Sequence, residues 1–151
     1  MIPELTLKPG STAAASVIFF CDGKILIGMR HYTPDKWKTI SVWTTPAGRC
    51  DEGETIEATL RREVREETGI TDFTIDGLIS AHPGAKEGDM VYTFAGTTAQ
   101  EPQLMEPEKF SEWKWEAPSA IPREQFINPE GLDMIQAYMR QQEGTEGKKR
   151  T

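Results

Sequence analysis

The segment Thr55–Thr68 constrains this chain most, because it reads as a helix whose inward side carries acid. It holds no Gly or Pro, offers Thr55 as an N-cap and Glu57 in the first turn, and stops at Gly69. At about 100° per residue, with Ile56 at zero, Leu60 falls near about 40° and Val64 near about 80°, which defines an apolar stripe. On the same count Glu63 falls at about −20° and Glu67 at about 20°, on that stripe or its border, while Glu66 flanks it near about −80°. Arg61, Arg62 and Arg65 cluster on the other side, where solvent belongs. A salt-bridged surface helix accounts for Glu57 with Arg61 and Arg62 with Glu66, four-residue pairs contributing about 0.2–0.5 kcal/mol each. It does not account for Glu63 and Glu67, which repel one another and resist ionisation when half-buried. A divalent cation removes both objections. Three carboxylates at i, i+3 and i+4, with no His or Cys beside them, form a hard oxygen site suited to Mg²⁺ or Mn²⁺.

The charge of the whole chain points to the same place. Its 151 residues carry 17 Lys+Arg against 24 Asp+Glu, a net charge of −7, which argues against binding a nucleic acid polymer. Between Asp51 and Glu67 there are seven acids and three arginines, so this stretch supplies 3 − 7 = −4 of that total. The length suits a single domain over 1–151, and a 37% hydrophobic content describes an ordinary globular chain. The apolar run Ala13–Phe20 falls short of the about 20 residues a bilayer span needs, and the start lacks a secretory pattern. A cytoplasmic protein with no membrane association is expected, with Cys21 and Cys50 as free thiols.

Patterning predicts strands over Thr12–Phe20 and Lys24–Met29, joined by a Cys21-Asp22-Gly23 turn. A polar loop follows from Arg30 to Thr39, then a short strand over Ser41–Thr45 that ends at Pro46. Beyond the acidic helix, Phe73–Ser80, Met90–Phe94 and Glu112–Glu116 read as strands. A second helix fits Gly131–Gln142, with Leu132, Ile135, Tyr138 and Met139 on one face. The polar end, Glu143–Thr151, is expected to fray.

The residues around the acidic helix resemble the Nudix hydrolases, whose box is written G-x5-E-x7-R-E-U-x-E-E-x-G-U, with U a bulky aliphatic. Gly48, Glu54, Arg62, Glu63, Val64, Glu66, Glu67, Gly69 and Ile70 occupy every specified position. Just before the box, Trp43-Thr44-Thr45-Pro46-Ala47-Gly48 resembles the family's W-x-x-P-G-G, with Ala47 replacing one Gly. The resemblance implies an α/β/α sandwich around a mixed sheet, with the box as a loop–helix–loop. It implies that Glu63, Glu66 and Glu67 hold the divalent metal with help from the Gly48 carbonyl. Arg62 would then orient the glutamates, and Glu54 would support them.

On this reading the reaction is hydrolysis of a pyrophosphate bridge, where metal ions neutralise the developing charge and a carboxylate takes a proton from the attacking water. Glu63 is the first candidate base because it lies centrally on the carboxylate face. Glu87, Glu106 and Glu108 are loop alternatives. The stretch Leu104–Trp115 resembles a MutT-like branch acting on nucleoside triphosphates, oxidised or non-standard ones included, which yields monophosphate and pyrophosphate. His82-Pro83-Gly84 with Glu87 resembles the loop of ADP-ribose pyrophosphatases, so ADP-ribose or another nucleoside diphosphate sugar is the alternative. A base needs an aromatic platform, for which Trp113 is singled out among Tyr32, Trp37, Trp43, Tyr92, Trp115 and Phe126. Arg30, with His31, Lys36 and Lys38, offers cations to the phosphates. Two readings of other classes stay open. A nucleotide sensor that does not hydrolyse would be expected to carry a degraded box, and a diphosphate isomerase would need a well-placed Cys. A small nucleotide is the expected partner, and a homodimer fits a family of this kind.

Overall fold

The computed structural model describes residues 2–31, 41–84 and 86–150. Its centre is β1 (Ala13–Cys21), whose side chains alternate between two cores. Ala13, Ala15, Val17 and Phe19 enter one core, and Ile18 enters the other. The expected turn then reverses the chain into β2 (Lys24–Arg30). Asp22 and Gly23 have φ of 51° and 77°, which suits a tight hairpin turn with both central residues left-handed.

Five more strands complete the sheet: β3 (Val42–Thr44), β4 (Ala47–Arg49), β5 (Thr74–Pro83), β6 (Met90–Thr97) and β7 (Phe110–Glu116). The order is β3-β2-β1-β6-β5, with β4 on β1 and β7 on β2. Among the strand pairs of the described residues β1–β6 is parallel and the others are antiparallel, so the sheet is mixed. Sequence patterning misses β4, because Ala47-Gly48-Arg49 is short, lacks β-branched residues and follows a proline. It nonetheless pairs with Ala14–Ser16 of β1.

The acidic segment forms α1 (Ile56–Thr68) between the expected caps. Ala58 N–H donates to Thr55 Oγ1 (3.1 Å), and Gly69, at φ 74°, donates its N–H to Arg65 O. Ile56, Leu60 and Val64 are fully buried against the Ala13–Phe19 face. On the opposite face Leu132 and Ile135 of α2 (Pro129–Arg150) pack with Ile18, Ile25, Ile27 and Phe126. The result is the expected α/β/α layering. The α2 backbone is helical to Arg150. Among the described residues no helix is long and apolar enough to cross a membrane.

Candidate active site

The site is built where α1 lies across β4. Glu67 is buried at 7% exposure, and its Oε1 accepts a hydrogen bond from Ala47 N–H (2.9 Å). Burial pushes its carboxyl up to about 8, opposed by the Ala47 N–H and reinforced by Glu63 and Glu106. Burial also raises Glu63, against the pull of Arg62 and Lys109. The next residue of β4, Gly48, has no room for a side chain, since a Cβ there would overlap the Glu63 side chain. A side chain at position 48 would therefore displace Glu63 from where it meets the strand.

Arg62 ties this cluster together rather than facing solvent as the helical count places it. Its Nε donates to Glu54 Oε2 (2.7 Å) and its Nη2 to Glu54 Oε1 (2.9 Å), a two-pronged pair. Nη1 donates to Glu63 Oε1 (2.6 Å) and lies 3.5 Å from Glu66 Oε2, and Nη2 also donates to Arg49 O (3.2 Å). The long side chain bends back over the carboxylates, which angular counting of Cα positions cannot anticipate. Glu54 accepts further hydrogen bonds from Thr59 Oγ1 (2.7 Å) and Asp51 N–H (3.1 Å). Arg62 above all, with these donors, holds its carboxyl down at about 2. Glu54 therefore holds the Arg62 guanidinium in place.

Among the described residues, no three Asp, Glu, His or Cys side chains converge closely enough to enclose an ion as they stand. The Glu63 carboxylate is drawn onto Arg62, and Glu66 stays half-exposed. The donor set is nonetheless all oxygen: a buried carboxylate with a strongly raised pKa, its two neighbours on α1 and a side-chain-free strand. That chemistry fits a hard divalent cation.

Of the other candidates, Glu106 comes closest to the cluster, since its charge acts on Glu67, and it pairs with Lys109 Nζ (3.3 Å). Glu87 and Glu108 are exposed, and neither is among the charges that shift Glu63 or Glu67. Arg30 is half-buried, lies over the Phe110 ring (5.4 Å) and acts on Glu67. Lys109, missed as a site residue, acts on Glu63. Its signal was the i, i+3 spacing from Glu106. His31 fixes that turn, its N–H donating to Lys109 O (2.9 Å) and its ring nitrogen lying 3.2 Å from Pro107 O. Tyr32, Trp37, Lys36 and Lys38 lie outside the described residues.

Trp113 packs rather than standing open. Its ring lies tilted against Phe110 (4.7 Å between centroids), and a Cβ on Gly28 would come within 2.7 Å of it. Among the described residues its Nε1–H is buried without a hydrogen-bond partner. Phe126, in contrast, lines a cavity of about 610 Å³ between the sheet and the start of α2. Ala47 lines this cavity while Gly48 faces Glu63, so one side of β4 looks onto the cavity and the other onto the carboxylates. Trp113 is not among the cavity's lining residues.

Cys50 is buried, which pushes its thiol pKa up and makes it a poor nucleophile. Cys21 lies at the far end of β1 from the β4 pairing, roughly 16–23 Å along the strand. Neither thiol supplies the cysteine that an isomerase would want at this site.

This sandwich is shared with solved hydrolases. The Ap4A hydrolase of C. elegans superposes with a TM-score of 0.67 at 21% identity, covering 87% of this chain and 98% of that one. Residues 10–138 match the family model described as NUDIX domain. The chain belongs to the Nudix family, and it is a hydrolase of pyrophosphate bonds in nucleotide-like substrates. Hydrolases of this family generally need a divalent metal ion. Among sequence relatives, an RNA pyrophosphohydrolase of Caulobacter vibrioides is 29% identical over 119 residues, covering 66% of this chain and 67% of its own. A putative 8-oxo-dGTP diphosphatase of Bacillus subtilis is 29% identical over 87 residues, 58% of each chain.

Proposed function

We propose that the protein cleaves a nucleoside triphosphate, oxidised or non-standard ones included, to the monophosphate and pyrophosphate. The observation that carries this reading is the cavity beside β4. Among the described residues its lining holds no Asp, Glu, Lys or Arg, so it suits an uncharged base and sugar and is a poor place for phosphates. The phosphates would cross β4 at Ala47-Gly48 toward the carboxylates. Arg30 and Lys109 border that side and supply positive charge.

In this reading Glu63, Glu66, Glu67 and the Gly48 carbonyl hold Mg²⁺, with Mn²⁺ as a substitute. When bound, the ion neutralises anhydride oxygens that no side chain here could neutralise alone. Glu67 and Gly48 fix one edge of the site through the Ala47 hydrogen bond and the close approach at Gly48. Arg62 positions Glu63 and keeps Glu66 within reach. Glu63 is the base that accepts the proton of the attacking water. Its burial raises its affinity for that proton, and Arg62 tempers the effect. Glu106 is the alternative base, since its charge already reaches Glu67.

A second reading, removal of pyrophosphate from a 5′-triphosphorylated RNA end, is favoured by the Caulobacter relative. The net charge of −7 opposes it, because a polymer needs a basic track. A Mg²⁺-supplemented panel of nucleoside triphosphates, ADP-ribose and a 5′-triphosphorylated RNA oligonucleotide decides among these. Pyrophosphate and monophosphate from a free triphosphate is the expected result. Turnover of the RNA or ADP-ribose alone would overturn the proposal, and binding without turnover of any member would mean a sensor.

A further inference from the structure

We infer that His82, held by Ser80, is the specificity-determining side chain of the cavity and hydrogen-bonds an uncharged heteroaromatic base through Nε2. The inference rests on the nucleotide reading above and deepens it.

The cavity floor is the sheet itself. Register across four strands sets Ala47, Ser16, Thr93 and Ser80 in one row, with Ala14, Val91 and His82 in the row beside it. All seven line the cavity. Most of the floor's polar groups are already committed. Ser16 Oγ donates to Thr93 Oγ1 (3.0 Å), and Thr44 Oγ1 donates to Thr45 O (3.4 Å). Ser80 Oγ lies 3.3 Å from His82 Nδ1, so the ring nitrogen left for a ligand is Nε2. Among the described residues His82 is also the one lining residue with an ionisable ring or acid–base side chain.

The backbone has been altered to achieve this. The β5–β6 register shifts between Leu78 and Ser80, so that Ile79 and Ser80, neighbours in sequence, both line the cavity. In a regular strand neighbours face opposite sides, and an irregularity of this kind re-aims side chains. The shift turns Ser80, and two residues later His82, onto the floor among the apolar walls Ile18, Ile79, Val91 and Met134. A fixed imidazole nitrogen on a neutral apolar floor selects by hydrogen bonding. A base that offers it no partner leaves it buried and unsatisfied. The Ser80 contact decides whether Nε2 donates or accepts, and hence which base edge it reads.

The test measures kcat and KM for ATP, GTP, CTP and UTP in wild type, His82→Ala, His82→Gln and Ser80→Ala. His82→Ala should raise KM for the preferred nucleotide about 10- to 100-fold with kcat within about threefold, and flatten the preference among bases. His82→Gln, which restores one donor and one acceptor, should recover part of the preference. Ser80→Ala, which frees the ring, should fall between. In parallel, ¹⁵N resonances of the His82 ring should move on titration with the phosphate-free nucleoside of the preferred base, while those of His31 stay put. Wild-type turnover of a triphosphate with an unchanged base ratio in His82→Ala and Ser80→Ala would overturn the role of His82. Wild type inactive on these four and on oxidised and non-standard triphosphates would instead refute the substrate reading, and ring resonances unmoved by any of the corresponding phosphate-free nucleosides would then refute the His82 inference independently.

Discussion

Replacing Glu67 by Gln should make the metal-free protein more stable and the enzyme inactive. In the folded chain burial carries the Glu67 pKa from 4.5 up to about 8. An acid with a raised folded pKa keeps its proton in the native state while the unfolded chain gives it up, so stability falls as pH rises from about 4.5 to about 8. At about 1.4 kcal/mol per pH unit the ceiling is about 5 kcal/mol, and residual solvent access and relaxation bring the expected figure to about 2–4 kcal/mol. Gln keeps the acceptor for Ala47 N–H and removes the charge. Urea unfolding in chelator should therefore show Glu67→Gln more stable than wild type by about 2–4 kcal/mol at pH 9, and by under about 1 kcal/mol at pH 5. Mg²⁺ at 100 times Kd should close most of that gap, adding about 2.7 kcal/mol to wild type and little to the variant. kcat/KM should fall about 1,000-fold, a loss of about 4 kcal/mol in the transition state. Equal stability of the two proteins at pH 9 would show that Glu67 is not strained by its burial. Normal turnover would show that it does not hold the metal.

Two further substitutions probe the frame around that carboxylate. Arg62→Ala should cost about 2–3 kcal/mol, because it strips Glu54 of its two-pronged partner and Glu63 of its orienting cation. The pH dependence identifies the cause. Glu54, held at about 2, contributes stability that is fully present above about 4.5 and lost as pH falls toward about 2, so the acid-unfolding arm of wild type should be steeper than that of Arg62→Ala. Coincident arms would refute the assignment. Gly48→Ala should push Glu63 out of position, lowering kcat at least about 100-fold while costing about 1–3 kcal/mol of stability. An active Gly48→Ala enzyme would mean that the close approach of Glu63 to β4 has no functional part.

The sequence made most of the fold legible because the fold uses local rules. The Asp22-Gly23 turn, the Thr55 and Gly69 caps and the alternation in β1 each act within a few residues and need no partner to be recognised. Two features escaped for the opposite reason. Strand β4 exists through its pairing with Ala14–Ser16, and nothing in Ala47-Gly48-Arg49 itself favours an extended strand. The inward reach of Arg62 depends on where Glu54 sits, eight residues earlier in sequence. The cavity was hidden more deeply still. Its residues come from β1, β3, β4, β5, β6 and the start of α2, and His82-Pro83-Gly84 taken alone carries no sign of a shared floor with Ser16 and Thr93. Trp113 illustrates the converse: an aromatic on an alternating strand invites a binding role, yet Gly28 opposite it makes room for the ring against the core.

The acidic stripe of α1 explains why the two halves of the site sit where they do. A helix that buries Glu67 gives up stability that a Leu there would supply, and it does so at the point where the Ala47 N–H can receive the carboxylate. That hydrogen bond fixes α1 against a strand three residues long, which is otherwise held mainly by pairing to β1. Alternation along β4 then turns Ala47 to the neutral cavity and Gly48 to the carboxylates. A ligand that fills both halves must be neutral at one end and polyanionic at the other, with the change of character falling across a single residue. A nucleotide has that form. A helix with an ordinary apolar stripe would fold as well and would leave β4 with nothing to present to its far end.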